Sequence, residues 1–384
     1  MIVRDIQAET QEMANHFRAL CIVGPRQSGK TTLAQNCFGK LPYVSLEHPP
    51  TLAKAQADPE AFLLQYKQGA ILDEVQRMPE IFSYLQGILD TSSKRGQFIL
   101  TGSNNFLLHE QVSQSLAGRV GYLELLPLSF AELQQAKLSS PQPFKHILQG
   151  GYPEIWNEGL NTFKWMNSYV QTYVQRDVRL LRNITNLGAF NRFILMCANY
   201  TGQLINKDAI ANAIGVDNKT IMAWLAVLES SYIIYLLHPW YNNLNKRIIK
   251  SPKLYFYDTG LLCFLLGINS QTELQKHKQY GAIFENWVLT EIRKNRMNAG
   301  LSGGMHFFRD SAGNEVDLIL EKQGNVIPVE VKAAKKTDAG MLAGLKYWQK
   351  NNRGAQGILV NGGEKFETIN EGIEIMPWYQ VSEI

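Results

Sequence analysis

Apolar and polar positions along this chain switch between two periods, and the switches divide it into segments. Residues 20–23, Leu-Cys-Ile-Val, make an unbroken apolar run that predicts a buried strand, and a helix begins at Thr32. Two similar runs, Ala70-Ile71-Leu72 and Phe98-Ile99-Leu100, predict further strands, each ending in polar residues. From Phe130 to Leu187 the pattern is mostly helical, broken at Gly150-Gly151-Tyr152-Pro153. Residues 206–216 read as a short helix ending at Gly215, and a second helix follows over 221–229. Two apolar strands come next, 232–237 and 254–257. Residues 281–292 form an amphipathic helix, and alternation returns over 315–320 and 326–332 on either side of Gly324-Asn325, a hairpin.

The first strand runs into Gly24-Pro25-Arg26-Gln27-Ser28-Gly29-Lys30-Thr31-Thr32, which fits G-x-x-x-x-G-K-[ST] in a strand–loop–helix context. Its glycines let backbone N–H groups cradle phosphate oxygens, and the helix N-terminus adds its positive end. Lys30 can reach the β- and γ-phosphates, and the Thr31 hydroxyl can ligand Mg²⁺. The second strand ends in Asp73-Glu74, at the strand end where open α/β sheets place their sites. Asp73 is expected in the magnesium shell, and Glu74 is expected to polarise an attacking water. The third strand should lie beside the second, so that Ser103 or Asn104 senses the γ-phosphate or that water. Arg119, in Leu116-Ala117-Gly118-Arg119, is a candidate cation for the transferring phosphoryl group, in its own subunit or in a neighbour.

Phosphate loop, Asp-Glu strand, polar-ended strand, Leu-Ala-Gly-Arg and then Leu126-Pro127-Leu128-Ser129-Phe130-Ala131-Glu132 together resemble an AAA-type ATPase family of bacteria and archaea. Members of that family carry a C-terminal domain of unknown function. The resemblance covers residues 1 to about 135 closely and implies ATP as the nucleotide; the motifs alone do not choose between ATP and GTP.

The middle of the chain offers two features. Arg176, Arg179 and Arg182 fall three apart, as a solvated basic face or a phosphate contact would. The helix–turn–helix and two strands of residues 190–268 look like a winged helix with a basic wing, Lys246, Arg247, Lys250 and Lys253. Its second helix, with Lys219, would enter a DNA major groove; alternatively it packs inward and the module holds a protein partner.

In the last third, a two- or four-residue turn centred between Gln323 and Gly324 keeps the sum of paired positions constant and sets Asp317 opposite Glu330; a three-residue loop would not. Glu330 and Lys332, two apart, share that face. Asp317, Glu330 and Lys332 should therefore converge, with Glu285 supplied by the preceding helix. Carboxylates and a lysine so placed suit metal-dependent phosphodiester hydrolysis, with a second Mg²⁺ or Mn²⁺ as the ion. The stretch resembles the PD-(D/E)XK nuclease fold, with Val316 where the strict pattern has Pro.

The fold expected is α/β: a P-loop AAA-type parallel-sheet domain (1–135), a helical lid (136–189), a winged helix (190–268) and a restriction-endonuclease-like α/β domain (269–384). Composition adds exclusions. Four scattered cysteines without a C-x-x-C pair argue against a zinc ribbon or disulfide scaffold. The histidines show no paired spacing for zinc. A net charge of +4 permits nucleic-acid contact without demanding it. No apolar run approaches membrane-span length and the N-terminus lacks a signal-peptide layout, so the expectation is a cytoplasmic protein without a membrane partner. The expected function is ATP hydrolysis whose cycle gates a DNA-binding or nuclease-like domain. The alternatives are an ATP-controlled endonuclease and a non-catalytic nucleotide-dependent protein-interaction module. An oligomer is required only if Arg119 acts on a neighbour.

Overall fold

The computed structural model describes residues 2–103, 116–178 (backbone only for 175–178), 184, 186–240, 251–352, 356–369 and 372–384. They form two compact units: Met1–Leu128 with Ser230–Tyr232 and Arg296–Leu301, and Ser129–Glu229 with Ile233–Asn295 and Ser302–Ile384. No helix among the described residues is long and apolar enough to cross a membrane.

The first unit is built on five parallel strands, β1 (Ala19–Val23), β2 (Tyr43–Ser45), β3 (Ala70–Asp73), β4 (Phe98–Gly102) and β5 (Val120–Glu124), in the order β2-β3-β4-β1-β5. Every residue of β1, β3 and β4 is buried, as continuous apolar runs in a parallel sheet should be. Leu20, Ile22, Ile71, Ile99 and Leu123 point to one face and pack with Leu33 and Ala34 of the helix Lys30–Phe38. Each of these leucines and isoleucines contributes about 1.5–3 kcal/mol. Strand β4 pairs with β3 on one side (Ala70↔Phe98) and β1 on the other (Ala19↔Phe98). The C-terminal ends of β1, β3 and β4 are thereby brought side by side, carrying the phosphate loop, Asp73-Glu74 and Thr101–Ser103.

The second unit begins with helices. Ser129 and Glu132 form a reciprocal capping box on the helix Phe130–Gln135. The break at Gly150-Gly151 has a physical cause. A Cβ on Gly150 would lie 2.3 Å from Asp258 Oδ1, while Gly151 N–H donates to Asp258 Oδ2 at 2.7 Å. Helices Lys207–Ile214 and Asn218–Ser230 are joined through Gly215 in a left-handed conformation, and β6 (Ile234–Leu237) pairs antiparallel with β7 (Lys253–Phe256). Ile221, Trp224, Leu225, Val227 and Leu228 of Asn218–Ser230 are buried, and Lys219, Met222 and Ala226 are exposed.

The unit continues into the helix Tyr280–Asn298 and a six-stranded sheet, β8 (Met305–Arg309), β9 (Glu315–Lys322), β10 (Asn325–Lys332), β11 (Gly357–Asn361), β12 (Glu367–Ile369) and β13 (Ile373–Pro377), in the order β12-β13-β11-β10-β9-β8. Gln323 and Gly324, both at positive φ, make the two-residue turn between β9 and β10. The register runs from Asn325↔Lys322 to Val329↔Leu318, the constant sum that a two-residue turn gives. Asn286 fixes the helix to β7: its Oδ1 accepts from Phe256 N–H at 2.7 Å and its Nδ2 donates to Phe256 O at 2.8 Å. A side chain thus completes the edge of a strand whose backbone groups would otherwise be buried unpaired.

Candidate active site

The phosphate loop is shaped by close packing. Gly24 has φ 149°, and a Cβ there would lie 2.2 Å from Leu125 O, so only glycine fits. Gly29, at φ 93°, turns the chain into the helix that Lys30 opens. Ser28 lies within the loop, wholly buried, and its carbonyl accepts from Arg4 Nη1 at 2.8 Å. Pro25 O accepts from Ser28 N–H at 3.3 Å, closing the turn, and Gln27 has a left-handed backbone. Arg26 lies 3.5 Å from Glu47, and its charge is felt at Lys30. Thr32 follows Thr31 in the first turn of the helix.

Lys30 is buried, and its ammonium group donates to Gly24 O at 3.0 Å and Pro25 O at 2.8 Å. Burial pulls its pKa down to about 8, against the pull of Glu74 and Asp73 in the other direction. Across the strand ends, Thr31 Oγ1 stands 3.1 Å from Asp73 Oδ1, joining the two motifs that lie 42 positions apart. Tyr43 OH donates to Asp73 Oδ2 at 2.7 Å, and Thr101 Oγ1 to Asp73 Oδ1. Asp73 is thus held by hydroxyl groups, with no ion pair to it among the described residues. Hydroxyls rotate and exchange for another oxygen-seeking partner at small cost, so Thr31 and Asp73 fit a Mg²⁺ ion. Glu74, in a left-handed backbone conformation, accepts from Gln76 Nε2 and from Ser103 Oγ, the latter at 3.3 Å.

Sequence reasoning missed three of these groups. Tyr43 and Thr101 reach Asp73, and Gln76 reaches Glu74. The polar Thr101 at the end of the apolar run 98–100 was a usable signal; Tyr43 offered none. Asn104 lies outside the described residues. Arg119 is not gathered into the site. It precedes β5, and its carbonyl accepts from Ala19 N–H at the start of β1, the opposite end of that strand from the phosphate loop. A five-residue strand spans roughly 16 Å. Arg119 instead pairs with Asp90 and with Ala117 O. Within its own subunit Arg119 thus lies at the end of the sheet away from the phosphate loop.

The C-terminal carboxylates do converge. Asp317 Oδ2 accepts from Val331 N–H at 2.9 Å, which seats it beside Glu330. Lys332 Nζ bonds Glu330 Oε1 at 2.5 Å and lies 3.6 Å from Asp317. Glu285 accepts from Tyr255 OH at 2.5 Å. Burial and then the repulsion of Asp317 hold the Glu330 carboxyl above the usual range, and burial holds Glu285 there also.

Lys253 also enters the group, against the expectation that it belongs to a basic wing. It is 3% exposed, and its Nζ lies 2.5 Å from Glu315, 3.4 Å from Glu285 and 3.7 Å from Asp317. Burial lowers its pKa, but the attraction of Glu285, Asp317 and Glu315 outweighs this and the net shift is upward. The remaining wing residues Lys246, Arg247 and Lys250, and the side chains of Arg176, Arg179 and Arg182, lie outside the described residues. With Lys253 among the carboxylates, the donor set does not fit a divalent ion. No group of three or more His, Cys, Asp or Glu among the described residues is placed to hold one.

Comparison with known proteins accords with the first centre. Residues 16–134 match the AAA domain, 141–272 a domain of unknown function (DUF8612) and 280–381 another (DUF4143). An uncharacterized protein of Mycobacterium tuberculosis is 30% identical over 86% of this chain and 73% of its own. One of Methanocaldococcus jannaschii is 24% identical over 100% and 91%. Among solved structures, the Walker-type ATPase of Pyrococcus abyssi is similar at 14% identity and a TM-score of 0.47, covering 68% of this chain and 95% of the other. The AAA domain supports nucleotide binding and hydrolysis by the first unit. The chain belongs to the family of the mycobacterial protein, with an AAA domain followed by a C-terminal DUF4143 domain.

Proposed function

We propose that this chain hydrolyses ATP at the C-terminal ends of β1, β3 and β4. Lys30 exchanges its bonds to Gly24 O and Pro25 O for the β- and γ-phosphates, which the backbone N–H groups of the loop, Pro25 excepted, enclose. Thr31 and Asp73 hold Mg²⁺, which neutralises phosphate charge. Glu74 orients and polarises the attacking water, and Ser103 and Gln76 set the direction of its carboxylate. The observation that carries this reading is the 3.1 Å approach of Thr31 to Asp73 with Glu74 as the next residue. Steady-state phosphate release tests it. Wild type should turn over, Glu74→Gln should bind ATP without turnover, and Lys30→Ala should lose binding. Equal, near-zero rates for wild type and Glu74→Gln would favour a nucleotide-sensing interaction module.

The nucleotide state is proposed to gate what the second unit binds. Helix Asn218–Ser230, the second helix of the proposed winged helix, exposes one cation, Lys219, beside Met222 and Ala226. That surface suits a protein partner better than DNA phosphates. Partner capture that is unchanged by Lys30→Ala would sink the gating idea.

A further inference from the structure

We infer that Lys253 supplies the cation of the C-terminal carboxylate centre, so that this chain holds the centre closed to divalent metal. Four carboxylates reach one place from three elements: Glu285 from the helix Tyr280–Asn298, Glu315 and Asp317 from β9, and Glu330 from β10. In such a cluster, mutual repulsion is relieved by a proton or by a cation, and a divalent ion is the usual cation. Here the position is taken by an ammonium group of the chain itself, within 3.7 Å of three of the four.

The two lysines of the centre differ in what they can do. The Lys332 side chain is 33% exposed and can swing into water if an ion arrives. Lys253 cannot. Its side chain is 3% exposed, its residue opens β7 in register with Leu237, and Nζ lies 5.6 Å from the centre of the Phe307 ring. The strand that delivers it is clamped to the helix bearing Glu285 by Asn286, and Tyr255, two residues on, bonds Glu285 from the same strand face. An incoming Mn²⁺ or Mg²⁺ would meet a fixed positive charge at ligand distance in a buried place, where Coulomb repulsion is strongly felt. Arg309, 3.1 Å from Glu315 Oε2, adds a further positive charge at the edge. The buried Glu330 Oε2 has no hydrogen-bond partner among the described residues, which marks the remaining cation-seeking atom.

Mn²⁺ binding read by electron paramagnetic resonance tests this on the full-length, nucleotide-free chain. All proteins would carry Asp73→Asn, so that the first unit cannot contribute. The chain with Lys253 intact should show no saturable site that Asp317→Asn removes. Lys253→Met should gain a saturable Mn²⁺ site, about tenfold or more tighter than the background binding of the Lys253-intact chain, and lose it when Asp317→Asn is added. A Mn²⁺ site that is present with Lys253 intact and lost with Asp317→Asn would overturn the inference. A folded Lys253→Met protein without any gain would do so equally, since the cluster would then be no cation position. If Lys253→Met does not fold, the comparison of Lys253-intact chains with and without Asp317→Asn still decides.

Discussion

The phosphate-loop centre and the C-terminal carboxylate centre use the same residue types and reach opposite arrangements. In the first, the lysine is bonded to backbone carbonyls, and hydroxyls hold the acid: Lys30 lies on Gly24 and Pro25, and Asp73 is met by Thr31, Tyr43 and Thr101. In the second, lysines lie on the acids themselves: Lys253 on Glu315 and Lys332 on Glu330. Carboxylates and a lysine gathered in one place do not define a metal site. What matters is whether the cation of the chain is already spent on the carboxylates.

The largest expected effect comes from removing each lysine in turn. Lys253→Met leaves buried carboxylates uncompensated and should destabilise the second unit by about 3–5 kcal/mol. Lys30→Met removes a buried charge whose pKa burial has pulled down to about 8, so the nucleotide-free first unit should keep its stability or gain on the order of 1–3 kcal/mol. All seven tryptophans lie in the second unit, so urea unfolding followed by tryptophan fluorescence should shift for Lys253→Met alone. Amide exchange in β1 and β4 reads the other variant. Equal destabilisation by both would erase the distinction drawn between the centres.

Asp73→Asn and Asp317→Asn sharpen it at the level of activity. The first should lower ATP turnover on the order of 10²–10³-fold, the loss of a charged magnesium ligand. The second should leave turnover within about twofold, because its carboxylate serves a centre in the other unit. A comparable loss from Asp317→Asn would tie the two centres into one machine.

Much of the first centre was legible because its motif is contiguous. Gly24 through Thr32 occupy one loop, and Asp73-Glu74 end one apolar run, so strand direction alone brings them to one edge. The hairpin register was legible for the same local reason: two residues separate β9 from β10, and position sums follow. Long-range placement was not. Lys253 was assigned by its basic neighbours to a wing, although its alternation with Tyr255 already sets both on one strand face; which partner that face meets depends on Asn286, thirty-three positions on. Arg119 was assigned by following the sensor strand in sequence, but order along the chain does not say which end of a parallel sheet a residue occupies. Tyr43 comes to Asp73 only through the pairing of Ser45 with Asp73.

The pH dependence of nucleotide binding gives a smaller effect. In the free protein Lys30 is half neutral near pH 8, because burial disfavours its charge. Phosphate oxygens favour the charged form, so binding must take up a proton in the window from about pH 8 upward. Affinity should then fall up to about tenfold per pH unit above 8. Calorimetry in buffers of different ionisation heat measures the uptake directly. Binding at pH 9 without proton uptake would show that Lys30 is already charged where it stands, and would place the two centres closer in character.

Tyr43→Phe should have the smallest effect, and it asks whether the hydroxyls on Asp73 compete with Mg²⁺ or assist it. Tyr43 OH donates to Asp73 Oδ2 at 2.7 Å, occupying a lone pair that a metal shell would use, while Thr101 occupies the other oxygen. Tyr43 is 43% exposed, so water can replace its hydroxyl and the bond is worth only about 0.5–1 kcal/mol. Deleting it should lower the Mg²⁺ concentration that half-saturates ATP turnover about two- to threefold, with the maximal rate nearly unchanged. An increase in that concentration would mean that the hydroxyl orients Asp73 for the ion. The hydroxyl ring would then be part of the metal centre's support, and the contrast with Lys253 would rest on Lys30 alone.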